Sequence, residues 1–139
     1  METLERIEAS CHCGAVRLTL PRAPEAVTSC NCSICHKLGT VWAYYDPTQV
    51  EVSAKEGALD RYERQNVPGN EDGKPMLAML RCATCGCITH WRSLDAAYDR
   101  MGVNARLMDS EILAAARVRR LDGAVTWRYL DEDEAAADC

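Results

Sequence analysis

Residues 82–86, which read Cys82-Ala83-Thr84-Cys85-Gly86, carry the pattern that decides the fold. Two residues between the cysteines let both sulfurs approach one ion at about 2.3 Å, and the glycine permits a positive-φ turn that aims backbone amides at them. A closed structural zinc site needs four ligands, so this pair requires two more from elsewhere in the chain. The stretch therefore predicts a fold held together by zinc.

Two further groups of cysteines can supply those ligands: Cys11-His12-Cys13 and Cys30-Asn31-Cys32-Ser33-Ile34-Cys35. Either the first pair or two members of the second group could complete the site. A pair joined to a pair closes a four-thiolate site and leaves a triplet with one open position, which is typical of catalytic zinc. Three thiolates make zinc a weak Lewis acid that suits a soft thiolate ligand, so thiol chemistry is the natural expectation.

The composition of the 139-residue chain is that of one globular domain, with 47% hydrophobic and 27% charged residues. The net charge of −5 disfavours a nucleic-acid partner. The first ten residues lack the apolar run of a secretory signal, and no segment approaches the ~18 apolar residues that span a membrane. We therefore expect a cytoplasmic protein without membrane contact, in which clustered cysteines bind metal rather than form disulfides.

Short segments with alternating hydrophobicity predict a mainly β domain with one or two short helices. Gly14 to Leu20 is the clearest strand, because Val16, Leu18 and Leu20 alternate with polar residues, and it places Cys11 and Cys13 in the preceding turn. Further strands are predicted at 40–45, 49–53, 59–64, 76–81 and 88–93, a loop at 66–74, a helix at 109–117 and a hairpin at 118–129 around Asp122-Gly123. Residues 1–130 form the predicted domain, and 131–139 an acidic solvated tail.

The cysteine motifs together resemble the glutathione-dependent formaldehyde-activating enzymes, whose domain is shared with centromere protein V. The resemblance spans nearly the whole chain in the family's order. It is carried by the residues Cys11-His12-Cys13-Gly14-Ala15-Val16, Cys30-Asn31-Cys32-Ser33-Ile34-Cys35-His36-Lys37-Leu38-Gly39, Cys82-Ala83-Thr84-Cys85-Gly86 and Trp127.

The resemblance implies a β-tent fold of short antiparallel sheets and two zinc ions. The structural zinc would be held by Cys11, Cys13, Cys82 and Cys85, and the catalytic zinc by Cys30, Cys32 and Cys35. It further implies carbon–sulfur lyase chemistry, in which glutathione or a similar thiol adds to formaldehyde or another small aldehyde. The competing hypothesis is a non-catalytic, zinc-stabilised protein-binding module.

Several other residues admit a functional and a structural interpretation. His36 is either a solvated loop residue or a proton carrier beside the open metal position, and Cys32 to His36 also matches a haem-attachment pattern that the missing secretory signal disfavours. His12 and His90 are expected to be structural. Cys87 is expected to be a small buried residue, and Cys139 a free thiol.

Aromatic and basic residues near the cysteines are candidates for a substrate pocket. Trp42, Tyr44 and Tyr45 follow the triplet closely and either pack in the core or wall a pocket, the core being the more common location for strand aromatics. Three basic residues could meet the carboxylates of an acidic thiol. They are Lys37, Arg81 and Arg92.

Overall fold

The computed structural model describes residues 6–64, 76–95 and 97–130, and in this part the protein is mainly β. Ten strands form two sheets, and both α-helices are short. The predicted fold class is thereby confirmed. The loop predicted at 66–74 and the tail at 131–139, including Cys139, lie outside the described residues. No helix in the described ranges has the length and apolar character needed to cross a membrane.

The strands are β1 Ile7–Ser10, β2 Val16–Leu20, β3 Ala26–Cys30, β4 Trp42–Tyr45, β5 Glu51–Ala54, β6 Leu59–Glu63, β7 Leu77–Cys82, β8 Ile88–Ser93, β9 Met101–Asn104 and β10 Arg117–Leu121. The helices are α1 Ser33–Leu38 and α2 Ser110–Ala115, and 3-10 turns cover Pro47–Gln49 and Ala105–Leu107. The small sheet has the order β1-β2-β5, and the large sheet β10-β3-β4-β9-β8-β7-β6. The β3 and β10 strands pair in parallel, and the other strand pairs among the described residues are antiparallel.

The core lies between the small sheet and the middle of the large one. Alternation in β2 buries Val16, Leu18 and Leu20 completely, as the sequence predicts, and these side chains pack in one cluster with Val27 of β3 and Val103 of β9. Burial of such side chains supplies most of the driving force for folding. The small sheet therefore covers one face of the large sheet.

The opposite face of the large sheet holds the cysteine triplet. Side chains of β4 alternate in direction, so Ala43 and Tyr45 pack in the core while Trp42 and Tyr44 point to a second cluster that contains the triplet. Trp91 reaches the same cluster, and its ring crosses Gly102 on the neighbouring strand. A Cβ at Gly102 would lie 2.0 Å from Trp91 Nε1, so glycine is required there.

The hairpin predicted at Val118–Tyr129 is wrong. Residues 117–121 form β10, which pairs in parallel with β3. The segment after β10 pairs back with it only through one antiparallel bridge, between Leu121 and Tyr129. The Asp122 carboxylate accepts bonds from the backbone amide and the hydroxyl of Thr126, which widens the turn beyond two residues. The helix predicted at 109–117 is shorter, because Arg117 N donates to Glu25 O and joins the sheet.

The structure also contains elements that the sequence analysis did not identify, namely β1, β3, β9 and α1. Residues 101–104 of β9 are buried at every position, so the alternation that marks a half-exposed strand is missing there. The α1 helix has only six residues, too few to show a helical period. His36, predicted in a loop, lies in this helix and is exposed.

His90 is buried in β8, as predicted, and makes stability sensitive to acid. Burial and then the charge of Arg92 lower the pKa of His90 to about 4, whereas an unfolded histidine titrates near pH 6.5. Below that pH the unfolded chain binds a proton that the folded chain does not. The contribution of His90 to the free energy of unfolding should therefore be constant well above pH 6.5 and fall by up to about 3 kcal/mol as the pH drops to about 4.

Thermal unfolding of wild type and His90→Gln, followed between pH 7.5 and about 5, measures this contribution. The wild-type midpoint should fall more steeply than that of the uncharged variant. Equal slopes would assign the acid sensitivity to the thiol clusters rather than to His90.

Candidate metal centres and the adjoining cavity

The sulfurs of Cys11, Cys13, Cys82 and Cys85 all lie within 4.8 Å of one another. The first two lie in the turn between β1 and β2, whereas Cys82 ends β7 and Cys85 lies in the turn between β7 and β8. The Sγ separations are 3.8 Å between Cys11 and Cys13 and 3.5 Å between Cys13 and Cys82. Four thiolates bound tetrahedrally at about 2.3 Å are about 3.8 Å apart, so this cluster could hold a metal ion.

Backbone amides point at the sulfurs of this four-thiol cluster. Val16 N lies 3.3 Å from Cys11 Sγ, and the amides of Cys85 and Thr84 each lie 3.4 Å from Cys82 Sγ. Bonds from Cys85 and Thr84 lower the pKa of the Cys82 thiol. The local backbone therefore favours the thiolate that a metal requires.

Glycines make both of these turns possible. Gly86 has a φ of 82° and Gly14 a φ of 84°, in the left-handed region that favours glycine. The turn predicted at Gly86 is confirmed. Gly86 N donates to Cys82 O, and this bond closes the turn that carries Cys85.

The sulfurs of Cys30, Cys32 and Cys35 form a second group within 4.8 Å, and all three side chains are buried. Cys30 ends β3, and Cys32 caps the N-terminus of α1 by accepting a bond of 3.5 Å from Cys35 N. A strand end, a tight turn and one helical turn thus bring the three sulfurs together. This cluster could also hold a metal ion.

Two side chains donate toward the triplet, those of Trp42 in β4 and of Arg64, which follows β6. Trp42 Nε1 lies 3.3 Å from Cys35 Sγ, and Arg64 Nη1 lies 3.9 Å from Cys32 Sγ. Within the triplet, bonds from the thiols of Cys30 and then Cys35 lower the pKa of Cys32. These bonds favour a thiolate at Cys32.

The triplet borders a cavity of about 640 Å³, within the size range of small-molecule sites. All three cysteines of the triplet line the cavity, and no member of the four-thiol cluster does. The described residues contribute six aromatic side chains, two arginines and one aspartate. The aromatic residues are Trp42, Tyr44, Trp91, Tyr98, Trp127 and Tyr129.

Contacts among these side chains fix one wall of the cavity. The Arg100 guanidinium lies 4.0 Å from the centre of the Tyr44 ring, and Tyr44 meets the Trp91 ring edge-on at 6.2 Å. Trp91 in turn stacks on Tyr98 at 6.4 Å. The wall is therefore an aromatic surface that ends in a positive charge.

The structure separates the predicted aromatic candidates. Trp42 and Tyr44 line the cavity, although Trp42 is also fully buried, whereas Tyr45 belongs to the core between the sheets and donates to Arg22 O. The period of two along β4 explains the division, since Tyr45 points to the other face.

The predicted basic candidates lie beside the cavity rather than in it. Lys37 and Arg81 line a smaller cavity of about 380 Å³, and Arg81 also pairs with Asp60 at 3.8 Å. Arg92 lines neither cavity. Arg64 lines both, and no local pattern in the sequence marks it or Arg100.

The remaining predicted residues lie away from the cavity. His12 and His36 are exposed and are not among the described residues that line it. Cys87, expected to be a small buried residue, is only half-buried, and it packs against the core beside the four-thiol cluster.

Gly123 was missed by the sequence analysis as a site residue. A Cβ at this position would lie 2.5 Å from Cys30 Sγ and 3.4 Å from Cys32 Cβ, so only glycine leaves room for the triplet. Its sequence signal, Asp122 before Gly123, indicated only a turn.

Gly123→Ala should displace Cys30 and weaken metal binding at the triplet by on the order of tenfold, because overpacking costs about 1–3 kcal/mol. Competition with a chromogenic chelator measures the affinity of the two clusters as separate phases. Ala124→Ser, at the exposed neighbouring position, is the control. Unchanged affinity of the weaker phase in Gly123→Ala would contradict the close contact.

Three comparisons place the chain among known proteins. A model of the family described as "Glutathione-dependent formaldehyde-activating enzyme" matches residues 6–120. No curated protein matches the sequence significantly. A crystal structure of a Rhodobacter sphaeroides protein is similar, with a TM-score of 0.60 and 23% identity over 81% of this chain and 99% of that chain. At this identity the likeness concerns the fold alone.

Proposed function

We propose that this chain, which belongs to the glutathione-dependent formaldehyde-activating enzyme family, is an enzyme that adds a thiol to a small carbonyl compound. Glutathione and formaldehyde are the leading pair, and their product is an S-hydroxymethyl adduct. One observation carries the proposal: the thiols of Cys30, Cys32 and Cys35 line the large cavity, whereas those of the four-thiol cluster do not. One cluster is thus open to a substrate.

Zinc is the metal that we assign to both clusters, because thiolate ligands at tetrahedral spacing suit it. Cys11, Cys13, Cys82 and Cys85 would hold a structural ion, and the triplet would hold a catalytic one. At the triplet, zinc supplies a Lewis-acidic position that lowers the pKa of a thiol substrate. The Trp42 indole and the Arg64 guanidinium, which face the sulfurs of Cys35 and Cys32, stabilise negative charge there.

The charges of the cavity support glutathione as the thiol. Glutathione carries two carboxylates and one ammonium group at neutral pH. Arg64, Arg100 and Asp95 line the cavity, and two cations with one anion complement those charges. Lys37 and Arg81 in the adjoining smaller cavity extend the positive region.

Tyr44 is the proposed hydrogen-bond donor to the carbonyl oxygen. Burial raises the pKa of Tyr44 to about 12, so the phenol keeps its proton at neutral pH. In the reaction a carbon–sulfur bond forms while the carbonyl π bond breaks, and the proton lost by the thiol is balanced by the proton that the carbonyl oxygen gains. A protonated phenol in the cavity wall can stabilise the oxygen while negative charge develops on it.

Exchange NMR with ¹³C-formaldehyde and glutathione tests the proposal, since it detects acceleration even when the uncatalysed addition is fast. The exchange rate between the hydrate and the adduct should rise in proportion to added zinc-loaded protein. If neither glutathione with formaldehyde nor any pair in a panel of other thiols and aldehydes showed acceleration, enzymatic addition would be refuted.

A non-catalytic protein-binding module is the competing function. It is favoured by the exposed side chains of Val118, in the edge strand β10, and of Val125, which follows that strand. Ligand exchange separates the two functions. An open triplet should bind an added thiol with measurable affinity, whereas a purely structural site should not.

A further inference from the structure

A turn at residues 122–127 lies against the cysteine triplet although it contains no cysteine. We call this segment the clasp. Gly123 lies at its start, close to Cys30, and Trp127 lies at its end in the lining of the cavity. The clasp therefore touches both the triplet and the space that a substrate would occupy.

Asn31, between Cys30 and Cys32, ties the clasp to the triplet through both ends of its side chain. Its Nδ2 donates to Asp122 Oδ1 at 3.0 Å, and its Oδ1 accepts from Ala124 N at 2.9 Å. The backbone N–H of Asn31 also donates to Leu121 O. Asn31 is thereby bonded to residues 121, 122 and 124.

The clasp also contains hydrogen bonds of its own, which do not involve Asn31. Asp122 O accepts from Trp127 N at 2.7 Å, and Asp122 Oδ2 accepts from Thr126 Oγ1 at 2.9 Å. These bonds lie entirely within the turn. The bonds of Asn31 instead join the turn to the segment that carries the cysteines.

Trp127 is held in an unusual conformation at the edge of the cavity. Its φ of 60° is the only positive value outside glycine in the part of the chain that the structure describes. Its side chain is 57% exposed, so burial does not compensate fully for this conformation. Strained, exposed aromatic residues at a cavity are typical of positions that contact a ligand.

We propose that Asn31 is a positioning residue that fixes the clasp to the triplet, and that Trp127 contacts the thiol bound in the cavity. The second half rests on the proposed function, since it requires a thiol substrate. Trp127 would cover the apolar part of the thiol while the cysteines face its sulfur.

Exchanging the two polar groups tests the coupling. Asn31→Asp places two carboxylates face to face, and Asp122→Asn places two amides there. The double variant Asn31→Asp/Asp122→Asn restores a carboxylate opposite an amide and the wild-type net charge. An oxygen of the new carboxylate at position 31 can still accept from Ala124 N. A double-mutant cycle therefore isolates this contact from the stability of the turn.

Two measurements on zinc-loaded protein read the cycle. The emission of Trp127, taken as the difference from Trp127→Phe, should shift in each single variant and return in the double variant. The dissociation constant for glutathione should rise by on the order of tenfold in each single variant, as expected for a charge-assisted bond, and return to within about threefold in the double variant.

Asp46→Asn is the matched control. Asp46 accepts bonds from the amide and hydroxyl of Thr48, much as Asp122 does from Thr126, but it lies outside the cavity lining. Its substitution should leave both measurements unchanged.

The outcomes separate the two halves of the proposal. Wild-type emission in the single variants, or no recovery in the double variant, would overturn the role of Asn31. A wild-type protein that does not bind glutathione would overturn the contact with Trp127 and the proposed thiol, while the emission would still decide the coupling. Binding that Trp127→Phe or Trp127→Ala leaves unchanged would overturn the contact alone.

Discussion

Cys82→Ser is expected to leave no stably folded protein, which is the largest loss of stability that we predict for a single substitution. Cys82 is almost fully buried, and its sulfur lies 3.5 Å from that of Cys13, 69 residues earlier in the chain. A metal held there joins the turns of two different sheets and closes a long loop, which removes much entropy from the unfolded chain. Structural zinc contributes about 10 kcal/mol or more, comparable to the whole stability of a domain.

Soluble yield and circular dichroism after mild purification measure this effect. Cys87→Ser is the matched control, because Cys87 lies beside the same cluster without belonging to it. The control should fold with a melting temperature near that of wild type. A Cys82→Ser protein with wild-type yield and melting temperature would disprove the structural role of the four-thiol cluster.

Cys32→Ser is expected to abolish turnover while leaving a folded protein. The three cysteines of the triplet lie within six residues, so a metal there closes only a short loop and adds little to the stability of the chain. Serine is also a favoured helix cap, so it can replace Cys32 at the start of α1. Loss of one thiolate removes the activating metal or its geometry, which is worth several kcal/mol and hence a rate factor of about 100 or more.

Zinc content, melting temperature and the NMR exchange rate should be measured on the same preparation. We expect about one zinc equivalent to remain, a melting temperature within a few degrees of wild type, and no acceleration above background. Ser33→Ala, at the exposed neighbouring position, should behave as wild type. Equal unfolding by Cys32→Ser and Cys82→Ser would argue against a division of labour between the clusters.

Much of the fold was predictable because its signals are local. The alternation of Val16, Leu18 and Leu20 fixed one strand and its buried face, and the glycine at position 86 fixed the turn of the second cysteine pair. The prediction of a hairpin at 118–129 is wrong because β10 pairs with β3, which lies far from it in the sequence. Turn signals at Asp122 and Gly123 contain no information about that pairing.

The candidate site was predictable only in part. Cysteine spacing and the family resemblance grouped seven thiols into the two sets whose sulfurs lie together, and their binding of zinc remains a prediction. Tyr44 was a candidate from its place after the triplet, whereas Arg64 and Arg100 line the cavity although no motif in the sequence marks them. The bond from Asn31 to Asp122 joins residues 91 positions apart, and either residue alone indicates no more than a turn.

The amino-acid sequence by itself determined the three cysteine motifs, the class of fold and the family, because each shows in local spacing and alternation along the chain. Only the tertiary structure decided which thiols face a cavity and which charges and aromatic rings surround them. That choice depends on the order of strands in the large sheet and on which face the small sheet covers. Both follow from burial of apolar side chains brought together from distant parts of the chain.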